Sequence, residues 1–127
     1  MSIAEAKKRF LAEHLRKGEK YAGLVLGKDD KPDYHLILLP GQAEDIPWER
    51  AKAWATKQGG ELPTRREQAL LFANLPEAFD KLAYWSNQPW ELGGAYAWYQ
   101  VFSNGAQSYL RKLLKLRARA VRRLILE

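Results

Sequence analysis

The chain has 127 residues, 46% hydrophobic and 28% charged, with a net charge of +6, a length that suits one domain able to bury its own core without metal or disulfide staples. It has no cysteine, which excludes disulfides, thiolate metal sites and cysteine nucleophiles and fits a reducing, cytoplasmic setting. Its longest apolar runs, such as residues 36–39, fall far short of the ~20 residues of a membrane span, and its N-terminus is charged rather than signal-like, so a soluble protein is expected.

In chain order, residues 3–17 follow a helical period. Ile3, Phe10, Leu11 and Leu15 share an apolar stripe, with Lys7, Lys8, Arg9 and Arg16 mostly outside it. Gly18 supplies a stop. This helix reads as an accessory, residues 1–18, ahead of a domain of residues 19–127. His14 lies beside the stripe with no second metal-type ligand near it, which favours a packing or surface role. Two strands, residues 21–26 and 34–39, flank a polar link bounded by Gly27 and Pro32 and predict a hairpin. Asp29, Asp30 and Asp33 in that link lack the spacing and closing glutamate of a calcium loop. Pro40-Gly41 ends the second strand. Asp45 is then expected to cap a helix over residues 48–58, with Pro47 in its first turn. Trp48, Ala51, Trp54 and Ala55 recur at helical spacing, and both tryptophans are expected to anchor the core. Gly59-Gly60 ends this helix.

Thr64 and Glu67 form a capping-box pattern at the start of a helix running to residue 74. Leu70, Leu71 and Leu75 are its buried face, with Phe72 at the margin, and Glu67 needs no catalytic role. Leu75-Pro76 closes it, and residues 77–83 allow another helical turn. The C-terminal third predicts an antiparallel meander. A strand through Tyr96-Ala97-Trp98-Tyr99-Gln100-Val101-Phe102 should turn at Asn104-Gly105 in a type I′ geometry and return over residues 106–110. One last strand is expected over residues 117–126. Alternation puts Tyr96, Trp98, Gln100 and Phe102 on one face and Ala97, Tyr99 and Val101 on the other. With one face as core, Trp98 and Phe102 are assigned to it. The pattern is α+β, with no repeat or interdomain linker.

Taken together, Gly60-Glu61-Leu62-Pro63-Thr64-Arg65-Arg66-Glu67, Tyr84-Trp85-Ser86, Tyr96-Ala97-Trp98, Phe102-Ser103-Asn104-Gly105 and Arg117-Ala118-Arg119-Ala120-Val121-Arg122-Arg123 resemble a small bacterial and prophage domain family with a C-type-lectin-like fold. The resemblance covers about residues 21–126. It implies two central helices packed on short antiparallel strands, pairing of the first and last strands, and a ligand surface built after Tyr84. The fold is shared with retroelement-diversified variable proteins and with formylglycine-generating enzymes. The cysteine-free chain lacks the thiols of those enzymes. Gln88-Pro89-Trp90 and Trp85-Ser86-Asn87 are only fragments, in the wrong order, of the motifs of calcium-dependent lectins.

No catalytic set emerges: His14 and His35 are far apart in sequence, and no phosphate-binding glycine loop is present. No enzyme activity, cofactor or metal is therefore expected. The leading expectation is a protein-recognition module using Asn87, Gln88, Trp90, Tyr99, Gln100, Asn104, Gln107 and Tyr109, residue types that combine rigid contact area with adaptable hydrogen bonding. Inhibition of a host protein is a special case that the prophage setting implies. The alternative is nucleic-acid binding through Arg111, Lys112, Lys115, Arg117 and Arg119, because no Asp or Glu occurs over residues 92–126. Alternation of Arg117 and Arg119 with small residues also fits arginines that tie structural elements together.

Overall fold

The computed structural model describes residues 2–126; Met1 and Glu127, the outer ends of the two expected segments, lie outside them. The described chain is α+β, with three α-helices and two sheets. The helices are α1 (Ile3–His14), α2 (Trp48–Lys57) and α3 (Arg65–Asn74), and a short 3-10 turn covers Pro76–Ala78. The strands are β1 (Lys20–Val25), β2 (Tyr34–Leu38), β3 (Ala43–Ile46), β4 (Ala83–Pro89), β5 (Tyr96–Val101), β6 (Gln107–Arg111), β7 (Leu116–Ala118) and β8 (Val121–Ile125).

Local chemistry accounts for most element ends. Ser2 caps α1 by accepting from the Glu5 amide. That helix stops at His14, because Leu15 is already extended, and Gly18, at φ +80°, makes the turn into β1. α1 buries none of its residues, and Ile3 is 91% exposed. It rests on the sheet through Phe10, whose ring lies 4.5 Å from His35 and 5.6 Å from Tyr21. Asp45 does not cap α2. It lies within β3 at a left-handed φ of +49°, and Pro47 is the N-cap, with no side-chain bond. The α3 capping box forms as expected: Thr64 accepts from the Glu67 amide at 3.1 Å, and Glu67 accepts from the Thr64 amide at 2.8 Å. The meander turn differs from the expected type I′ form. Only Gly105 is left-handed, at φ +79°, and Asn104 Oδ1 accepts from the Ala106 amide across a longer loop.

The two sheets have orders β1-β2-β8 and β3-β7-β4-β5-β6. The expected pairing of the first and last strands is not made. β8 pairs antiparallel with β2, and β1 pairs with the other side of β2, so β1 and β8 are opposite edges of one sheet. The physical reason is the hairpin, which seats β2 in the middle, where Leu36, Ile37 and Leu38 are fully buried. The single strand expected over residues 117–126 is two strands in different sheets. The break falls at Arg119, whose guanidinium donates to the carbonyls of Leu39 and Ala78. The flanking Ala118, Ala120 and Val121 are all buried, so the chain passes through the interior between the sheets instead of alternating along one.

The five-stranded sheet is buried on both faces. Tyr84 and Phe102 point with Leu36, Leu71, Phe79 and Val121 into a core beneath α3, whereas Trp85 and Ala97 join Trp48, Ala51, Ala55 and Ala118 beneath α2. The assumption of one core face for β5 therefore fails. Phe102 is core as assigned; Trp98 is only half-buried. Among the described residues, no helix is long and apolar enough to cross a membrane.

One side chain joins the capping box to the sheet. Glu67 is 0% exposed and accepts from the Tyr34 hydroxyl at 2.6 Å and from Arg123 Nε and Nη2 at 2.7 and 2.8 Å. Burial pushes this carboxyl up. The bonds from Arg123, Tyr34 and the Thr64 amide outweigh burial and hold it below the ordinary value of 4.5. Tyr34, buried and facing that carboxylate, is pushed up from 10.0 to about 12.

Two measurements check this packing. Trp48 is buried and donates its indole N–H to Ser86 O at 2.8 Å, so Trp48→Ala should cost about 3–5 kcal/mol in a denaturant melt. Trp54, expected to be equally central, is only half-buried, and Trp54→Ala should cost about 1–2 kcal/mol. For pH, a depressed carboxyl stabilises the fold above its unfolded pKa, and a raised phenol stabilises it below its own. Stability should hold between 4.5 and 10.0, fall as pH drops through the lowered Glu67 value, and fall again as pH rises toward 12. In Glu67→Gln the acid limb of a thermal-melt series should flatten.

Candidate functional site

Three half-buried rings and one exposed ring come together where the β4–β5 loop meets the β5–β6 hairpin. The hairpin register sets Trp98 opposite Tyr109 and Tyr96 opposite Arg111. Directly opposed side chains on one face touch, and Trp98 meets Tyr109 edge-on at 5.5 Å. The loop brings in a third ring. The Trp90 amide bonds to Tyr96 O at 2.9 Å, and Trp90 stacks on Tyr109 at 4.2 Å with planes 10° apart. Tyr96 sits edge-on to both, at 5.5 and 6.0 Å. Gly93 packs closely here, since a Cβ at that position would lie 3.0 Å from the Trp90 ring and press on it.

Charged groups border these four aromatics. The Arg65 guanidinium lies 3.5 Å over the Trp98 ring, a cation–π contact. The Trp98 indole N–H donates to Glu91 at 3.1 Å and holds that carboxylate below its usual range. Beside the rings, on the same face of the hairpin, amides fasten α3 to the sheet. Gln88 accepts from the Arg65 amide at 2.8 Å, and Gln107 accepts from Arg65 Nε at 3.0 Å while donating to Arg65 O and to Gln100. Gln100 in turn donates to Gln68 O at 2.7 Å, and Gln68 donates to the carbonyls of Tyr84 and Trp85.

This geometry redistributes the expected ligand residues. Trp90 and Tyr109 belong to the aromatic patch, and Gln88 and Gln107 buttress it. Gln100, at 1% exposure, is a buried structural amide and not part of a surface. Tyr99 packs against the core beneath α2, and Asn87, also half-buried, lies beside Lys52, Thr56 and Leu62. Asn104 shapes the hairpin turn. Tyr96, Trp98 and Arg65 were not among the expected residues. The hairpin register paired with strand alternation would have found the two aromatics; Arg65 reaches them only through the tertiary fold.

The basic C-terminal residues are mostly engaged. Arg117 pairs with Glu44 and, at 3.1 Å, with Asp80. Arg119 holds two carbonyls, and its burial lowers its pKa. Arg122 grips both oxygens of Glu19 and the carbonyl of His14. Arg123 joins Glu67 and Glu61. Arg117 and Arg119 are therefore structural ties and not members of a free patch. Their acidic partners lie outside residues 92–126, which is why that span looked unbalanced. Arg111, Lys112 and Lys115 have no carboxylate partner among the described residues, and Lys112 sits 4.6 Å over the Trp48 ring.

The fold and the site define an α+β domain that displays an arginine-bordered aromatic patch on the outer hairpin of a doubly covered sheet. No protein-family model matches the chain, and no curated protein matches it.

The division between supporting amides and displayed rings is measurable. Gln100→Ala removes the bonds to the Gln68 carbonyl and from the Gln107 amide and should cost about 1–3 kcal/mol. Tyr109→Ala removes an exposed ring and should change stability by less than about 1 kcal/mol. Equal losses in paired chemical melts would contradict the division.

Proposed function

We propose that this protein is a non-enzymatic recognition module that binds a protein partner through Trp90, Tyr96, Trp98 and Tyr109, bordered by Arg65. The carrying observation is the stacked Trp90–Tyr109 pair, in which Trp90 is half-buried and Tyr109 is 40% exposed. Aromatic rings and arginine dominate the energetics of protein interfaces, and rings already locked in place lose little entropy on binding. The patch lies next to β6, an edge strand, so a partner approaching it meets both rings and unpaired backbone.

The C-type-lectin-like relationship, with its prophage setting and the host-protein inhibition it implies, belongs to the same proposal. The placement of β1 and β8 on opposite edges of one sheet counts against it, because that assignment requires the two to be adjacent. What support remains is narrower: the hairpin strand β2 pairs with the C-terminal strand, and α2 and α3 precede β4, β5 and β6, the strands that carry the rings. Nucleic-acid binding is the weaker reading, since four of the seven C-terminal basic residues are committed to internal contacts.

Capture from host lysate tests the proposal. The wild-type chain should retain a protein after nuclease treatment, and Trp90→Ala or Tyr109→Ala should reduce that capture at least ~10-fold, the loss of a hot-spot ring. A mixed-sequence oligonucleotide should bind without saturation near physiological salt. Saturable oligonucleotide binding with a steep salt slope, lost on reversing Lys112 and Lys115 to Glu, would favour the nucleic-acid reading.

A further inference from the structure

Away from the aromatic patch, the β1–β2 turn, the start of α3 and the end of β8 enclose a cleft of about 510 Å³, within the range of small-molecule sites. Its rim carries Lys28, Lys31 and Arg66, and its walls include Leu26, Pro32 and Ile125. Leu26 and Ile125 are 57% and 56% exposed, unusual for large apolar side chains gathered around one hollow. Arg123 and Tyr34 also reach the cleft but are turned to Glu67. Arg123 is taken up by Glu67 and Glu61, so the cations free to meet a ligand are Lys28, Lys31 and Arg66, with Asp29 lining the cleft and Asp30 and Asp33 in the same turn. None of those three cations has a carboxylate partner among the described residues.

The lysines are held by a closed turn. The Gly27 amide donates to Asp33 at 2.7 Å, the Lys31 amide donates to Lys28 O at 3.1 Å, and Asp29 and Asp30 both sit at positive φ. A Cβ at Gly27 would lie 1.9 Å from Lys31 O, so only glycine permits this closure. Leu26 and Arg66 also line a second, adjacent hollow between β1 and α3, together with Leu24, Ala69, Leu70 and Ala73. From Arg66 to Ala73 the helix advances on the order of 10 Å, comparable to a medium alkyl chain. Two first-turn amides of α3 are already engaged, since Thr64 satisfies the Glu67 amide and Gln88 the Arg65 amide.

We infer that this composite groove binds a single-chain amphiphilic anion, its carboxylate or phosphate head between Lys28, Lys31 and Arg66 and its alkyl tail along Leu24, Leu26 and Leu70. The cationic rim rejects an amine head. The apolar channel rejects a head without a tail. The site shares no residue with the aromatic patch, so it stands or falls independently of the proposed recognition function.

The test is an amide-resolved NMR titration of the full chain with monomeric sodium decanoate, decyl phosphate, decylamine and sodium acetate. Decanoate should saturate, with shifts concentrated in residues 24–34 and 64–73, whereas decylamine and acetate should not saturate over the same range. Decyl phosphate against decanoate reports which head is preferred, and saturation by either one supports the site. Arg66→Glu combined with Lys28→Glu should weaken decanoate at least ~10-fold, and the single exposed change Arg66→Gln should weaken it in the same direction. Decylamine binding as tightly as decanoate would overturn the inference. So would unaltered decanoate affinity in the variants, shifts scattered over the molecule, or binding only to anionic phospholipid vesicles.

Discussion

The buried carboxylate of Glu67 is the constraint on which the fold depends. It closes the α3 capping box, accepts the Tyr34 hydroxyl of β2 and receives the Arg123 guanidinium of β8. One ionised group thus fixes the start of the helix that spans both sheets to two neighbouring strands of the smaller sheet. A buried charge is tolerated only when its lone pairs are satisfied and a counter-charge is close, and Glu67 meets both conditions through residues distant in sequence. Any packing that moved α3 from β2 and β8 would strand the carboxylate, so the ion pair specifies the arrangement as well as contributing energy.

From that anchor α3 reaches across to the larger sheet through Gln68, whose amide donates to two β4 carbonyls, and through Gln100 and Gln107. The polar seam lies between α3 and β4–β6, while apolar contact dominates beneath α2. Buried amides are directional and costly to leave unpaired, so they fix the register of the outer hairpin. That register in turn decides which rings are displayed. The aromatic patch is therefore held in place by amides that flank it on the same face of the hairpin.

Arginine has two separate duties here. Arg117, Arg119, Arg122 and Arg123 act inside the molecule, where a planar fork binds carboxylates or carbonyls from several elements at once. Arg65 and Arg66, adjacent at the start of α3, face two different surfaces. Arg65 lies over Trp98, and Arg66 lines the groove beside Leu26. Consecutive residues on a helix diverge by about 100°, which lets one helical turn serve an aromatic patch and a cationic groove.

The local elements were legible in the sequence because their causes are local. The Thr64–Glu67 cap, the β1–β2 hairpin, the α2 stripe of Trp48, Ala51 and Ala55, and the return at Asn104-Gly105 all rest on spacing, turn chemistry and periodicity within a few residues. β3 was missed because four residues ahead of a proline carry no alternation strong enough to mark a strand. The partition of the chain after Leu116 between two sheets, the burial of both faces of β5, and the choice of β2 as the partner of β8 depend on contacts across tens of residues. The same holds for function. Composition marked the C-terminal third as aromatic, amide-rich and basic. Only the tertiary structure could separate Trp90 and Tyr109, left at the surface, from Gln100 and Arg119, drawn inside, because a side chain's burial is set by what the rest of the chain brings against it.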